Sequence, residues 1–150
     1  HALLYEYSIK IQSLVESVFA AEGFRARVYR IMDWIDENRE YNQMFTQTLN
    51  VLEITSQSAG GCNSAEAYVS GDFQFEASAY IYEKVDEIME AGYQEGVFTE
   101  TDINKRGLAI LTGMTEYGVA IMGKGRLRYR LEPDALRDYI YCSVITTLSE

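Results

Sequence analysis

One proline stands in 150 residues, at position 133. Proline inside a helix removes a backbone donor and clashes with the preceding turn, at a cost of about 3 kcal/mol. A chain that keeps proline out almost everywhere is free to be helical almost everywhere. Its apolar residues recur at helical spacing. Leu4, Tyr7, Ile11, Leu14, Val15, Val18 and Phe19 make one stripe, and Gly23 is its stop. A second and longest helix is expected over about 24–53, with Ile31, Ile35, Asn38, Asn42, Phe45, Leu49 and Leu52 on one face.

Residues 54–74 break the pattern with Ser56, Ser58, Gly60, Gly61, Asn63, Ser64, Ser70 and Gly71. A loop, a short helix near 65–69 and a cap at Asp72 are expected there. A third helix over about 73–95 places Phe75, Ala79, Tyr82, Val85, Met89 and Gly92 on one face, and Gly96 ends it. Thr99, three before Asp102, reads as a capping box for a fourth helix to about Met122, with Ile103, Ile110, Met114, Tyr117 and Ile121 in line. Residues 126–131 alternate polar and apolar, as an extended stretch does. Pro133 opens a fifth helix lined by Leu136, Tyr139, Ile140, Val144, Thr147 and Leu148. The fold class is all-α, an orthogonal or antiparallel bundle of five to six helices, with 1–150 as one domain.

The net charge is −10, and residues 61–100 hold Lys84 against nine carboxylates. Such a surface repels phosphate backbones, so binding to nucleic acid is not expected from these residues. Cys62 and Cys142 read as free thiols of a reducing cytoplasm. No apolar run approaches the ~20 residues that span a bilayer, so no membrane partner is expected.

The one histidine is His1, so there is no internal His to activate a nucleophile and no Glu-x-x-His helix for a di-iron site. No glycine-rich phosphate cradle is present. Asp33, Asp36, Glu37 and Glu40 group on one helix, but face away from Ile31, Ile35 and Phe45 and read as solvated surface. The expectation is a non-enzymatic protein with no catalytic residues, metal or cofactor.

What remains points to binding. Asn38 and Asn42 sit in an apolar stripe, where each amide needs a partner. That partner is either a ligand or neighbouring backbone. Trp34, Phe45, Tyr82, Met89, Met114 and Tyr117 come from inward faces. They read either as plain core or, with the asparagines, as the lining of a small-molecule pocket between the second, third and fourth helices. Gly107, Gly113 and Gly118 lie inside the fourth helix at about 1 kcal/mol each relative to alanine. Close helix approach would offset that cost, either within the chain or across a dimer. The run Lys124, Arg126, Arg128, Arg130 reads as a solvated loop or as a contact for an acidic surface.

The stretch Val85–Asp102, VDEIMEAGYQEGVFTETD, resembles the effector domain of TetR-family transcriptional regulators, through Gly92, Gly96, Phe98 and the acidic positions after them. Phe24–Trp34, FRARVYRIMDW, resembles that family's second long effector-domain helix, and helix order agrees over nearly the whole chain. The resemblance implies a bacterial repressor's ligand-binding half without its helix-turn-helix. It further implies a homodimer through the last two helices, here with Gly107, Leu111, Gly113, Gly118, Leu136, Ile140 and Val144 at the interface. A small hydrophobic or aromatic effector would alter DNA binding by a helix-turn-helix domain that the 150 residues do not include. A helical protein–protein module without small ligand is the alternative.

Overall fold

A computed structural model describes residues 2–40, 65–122 and 128–150. These form five helices: α1 (Ala2–Ala20), α2 (Phe24–Glu37), α3 (Ala65–Gln94), α4 (Ile103–Met122) and α5 (Pro133–Leu148). No strand occurs among the described residues. No described helix is long and apolar enough to cross a membrane.

The core forms where the helical stripes meet. Phe24, Val28 and Met32 of α2, at four-residue spacing, are almost fully buried. They join Val18 of α1, Ile88 and Met89 of α3, Ile110 and Tyr117 of α4, and Ile140, Tyr141, Val144 and Leu148 of α5 in one cluster. The most extensive packing is between α4 and α5.

The junctions explain the glycines. Gly23 has φ +91°, a conformation that L side chains avoid, and turns the chain from α1 into α2. The first N–H of α2, on Phe24, then donates to the Glu95 carboxylate at 2.9 Å. This places a negative group on a helix N-terminus, where orphan donors and the dipole both favour it. At the end of α3, Gly96 N–H donates to Tyr93 O at 3.0 Å and Val97 N–H to Gly92 O at 3.1 Å. With Gly96 at φ +78°, this is a Schellman cap. Gly92 lies against aromatic rings: a Cβ there would stand 2.6 Å from Phe24 Cδ2 and 2.9 Å from Phe98 Cε2. The Gly92, Gly96, Phe98 spacing thus has a local cause. One glycine admits two rings, the next reverses the chain, and Phe98 returns to the core.

Three expectations are corrected. The second helix does not run on to 53, because it ends at Glu37 with Asn38 as its C-cap. Residues 65–94 are one helix through Gly71, in place of a short helix near 65–69 and a cap at Asp72, and the loop expected before them falls on 54–64, outside the described residues; a single interior glycine costs only about 1 kcal/mol. The fourth helix is capped by Asp102 and not by Thr99: Asp102 Oδ1 accepts from Asn104 N–H at 2.8 Å and from Lys105 N–H at 3.3 Å. The N–H groups of Thr99 and Glu100 instead cap the far end of α5, both donating to Leu148 O.

Candidate interface and its supporting network

Asn38 has its partners inside the chain. Its backbone N–H and its Nδ2 both donate to Trp34 O at 3.0 Å, and its Oδ1 accepts from Lys10 Nζ at 3.1 Å. Of the two readings of that amide, the structure shows the one with neighbouring backbone. Asn42 and Phe45 lie outside the described residues. Trp34, Met89 and Tyr117 are buried, the last two inside the continuous core, and Met114 packs against it. Tyr82 is corrected: it is 55% exposed and does not point inward.

Asp33 and Asp36 are not simple solvated surface. Arg137 of α5 donates from Nη1 to Asp33 Oδ1 and from Nη2 to Asp36 Oδ2, the latter at 2.8 Å. Tyr117 of α4 donates its hydroxyl to the same Asp36 oxygen at 2.5 Å. One carboxylate therefore ties three helices together. Burial, reinforced by the hydrogen bond to Asp36, raises the Tyr117 phenol to about 12. Burial opposes the charge on Arg137, but its hydrogen bonds to Asp33 and Asp36 outweigh that and raise its pKa. Asp33 and Asp36 lie one turn apart on α2, so one guanidinium reaches both.

Arg106 escaped the sequence reading. It is 5% exposed, donates to Glu90 Oε2 at 2.6 Å and to Glu100 O at 2.7 Å, and its guanidinium lies 4.5 Å from the Tyr93 ring centroid. The available signal was its register: Arg106, Ile110, Gly113 and Tyr117 share one face of α4.

The glycines of α4 separate by role. A Cβ on Gly113 would stand 2.6 Å from Val144 Cγ2, so Gly113 is what lets α5 approach. Gly118 faces Ile35, with 3.8 Å available, and Gly107 faces open space. Gly113, Gly118, Ile140 and Val144 are buried within the chain, and Leu136 is half-buried. Gly107 and Leu111 lie nearer the outer side of α4.

Comparison with protein-family models, curated proteins and solved structures finds no match.

The α4–α5 pair turns an unusual face outward. Leu108 is 66% exposed, Val119 55% and Tyr139 61%. With Leu108, the exposed Thr112, Ser143 and Thr147 line a groove of about 330 Å³ between the two helices. The charges on this groove are few: Glu100 and Lys105, 3.9 Å apart at the start of α4, and Glu116 farther along. Isolated exposed apolar residues are ordinary, but several on one helix pair beside a small-residue groove are what a contact surface offers.

Proposed function

We propose that this chain is the self-associating effector domain of a TetR-like transcriptional regulator, with no catalytic role. The observation that carries the reading is the outward α4–α5 face, apolar and small-residue in character, on the two helices that the resemblance assigns to dimerisation. Its charges are self-complementary. Lys105 and Glu116 are eleven residues apart, about 16 Å along a helix. Two copies of α4 crossing antiparallel about a two-fold axis near residues 110–111 bring Lys105 of one opposite Glu116 of the other, twice.

Charge exchange tests this register. Lys105→Glu or Glu116→Lys alone should weaken the dimer about tenfold, since two symmetric exposed pairs contribute up to ~1 kcal/mol each. Lys105→Glu with Glu116→Lys should restore it. A double variant as weak as either single one would reject the register.

The effector in this reading is a small apolar or aromatic molecule, and its binding biases the dimer between states that hold a helix-turn-helix unit in or out of DNA-binding geometry. A helical protein–protein module without small ligand is the second reading. It is favoured by Met89 and Tyr117, which fill the core where lining residues were expected. Native mass spectrometry separates the two: a retained small molecule on the dimer supports the first, and a bare dimer that captures none supports the second.

A further inference from the structure

A second concavity differs from the α4–α5 groove in chemistry. It lies between the C-terminal half of α4, residues 128–131 and the start of α5, with a volume of about 810 Å³. Small-molecule sites commonly span roughly 300–1,000 Å³. Its floor is apolar, from Ile121, Leu136 and the buried Ile140. Tyr129 and Tyr139 stand at its edges, both largely exposed. Arg128 and Arg130 contribute to its wall, with the Arg128 guanidinium 5.7 Å from the Tyr129 ring centroid. Among the described residues, Glu116 is the one carboxylate on the lining.

Two arginines stand in one wall of this cleft, on a chain of net charge −10. Acidic surroundings repel an anion, and guanidinium groups offset that repulsion where they gather. A guanidinium presents a planar fork of donors that matches a carboxylate or sulfonate. The apolar floor gives nothing to a bare inorganic ion, and a neutral hydrocarbon has no use for two guanidinium groups. We propose that this cleft binds an amphipathic organic anion, an aromatic or aliphatic acid whose apolar body lies on Ile121, Leu136 and Ile140 while its charged end meets Arg128 and Arg130. The cleft shares Glu116 and Tyr139 with the outward α4–α5 face, does not rest on the regulatory reading, and is separate from the pocket that the sequence suggested between the second, third and fourth helices.

Fluorescence titration with 8-anilinonaphthalene-1-sulfonate, alongside its uncharged parent N-phenyl-1-naphthylamine, tests it. The expected result is one saturable site for the sulfonate. In the double variant Arg128→Gln, Arg130→Gln the sulfonate should lose affinity about tenfold or more, the worth of charge-assisted hydrogen bonds. The uncharged compound should bind that variant as it binds the parent protein. Both positions are exposed, so the variant keeps the fold, and an unchanged thermal transition verifies it. Unchanged sulfonate affinity in the variant would overturn the proposal. So would equal loss for both compounds, or no saturable binding up to on the order of 1 mM.

Discussion

Tyr117 on α4 and Asp36 on α2 share a hydrogen bond of 2.5 Å, and Arg137 on α5 donates to the same carboxylate oxygen at 2.8 Å. The phenol ring is itself 1% exposed, so it acts as core and as polar tie at once. Tyr117→Phe keeps the ring and removes one donor to a charged acceptor. Stability should fall by about 1–2 kcal/mol, read by urea unfolding, because Asp36 keeps Arg137. Asp36→Ala should cost more, since it leaves both donors without that acceptor. Equal stability of both variants and the parent would show that the tie contributes nothing.

The same contact fixes an alkaline limit. In the unfolded chain a tyrosine ionises near pH 10, whereas folded Tyr117 holds its proton to about 12. Between those values the unfolded state binds fewer protons, so stability must fall as pH rises, by up to about 1.4 kcal/mol per pH unit for this one group. Below pH 10 the contribution is fully present. Burial also raises the Tyr141 phenol, which adds to the slope. Tyr117→Phe should therefore flatten the alkaline limb without abolishing it. An unchanged slope in that variant would contradict the assignment.

Gly113 and Gly107, six residues apart on α4, should respond to alanine in opposite directions. At Gly107 an added Cβ meets nothing within 4 Å, so Gly107→Ala should stabilise by about 0.5–1 kcal/mol through helix propensity. At Gly113 the same atom falls 2.6 Å from Val144 Cγ2, and overpacking of about 1–3 kcal/mol outweighs the propensity gain. Adding Val144→Ala should relieve the clash but leave its own loss of buried methyl groups. Thermal unfolding of the three variants decides it. A larger side chain there, as in Gly113→Leu, would strike α5 inside each chain before it touched any partner.

How far the sequence was legible follows from residues of this kind. Gly23, Gly96 and Pro133 marked boundaries that the structure keeps, because each acts through its own backbone. The extent of α2 was missed because periodicity continues past Asn38, and an asparagine in register reads alike as lining or as cap. Only its bonds to Trp34 O and Lys10 decide between them. Asp33 and Asp36 were misread because the stripe used to orient them included Phe45, beyond the helix end. Their partner Arg137 lies a hundred residues away, and no local pattern encodes it. Met89, Ile110 and Tyr117 were on stripes that the sequence turned inward, whereas Ile140 and Val144, expected at a dimer interface, pack in the core of the chain itself.

Arg106 illustrates a charge that the core tolerates because every side of it is occupied. It stacks on Tyr93 and donates to Glu90 and to Glu100 O. Arg106→Lys keeps the charge but loses the fork and most of the stacking. It should destabilise by about 1–2 kcal/mol in chemical denaturation, and Arg106→Ala by about 2–3 kcal/mol. A lysine variant as stable as the parent would show that charge alone suffices there.

The account rests most heavily on the outward α4–α5 face. Sedimentation equilibrium of the purified chain at micromolar concentration, beside Leu108→Glu with Val119→Glu, addresses it directly. The face predicts a mass of twice 17.1 kDa for the parent chain and a folded species of single-chain mass for the variant, since both residues are exposed within one chain. A parent chain that sediments at single-chain mass, or a variant that remains dimeric, would contradict it.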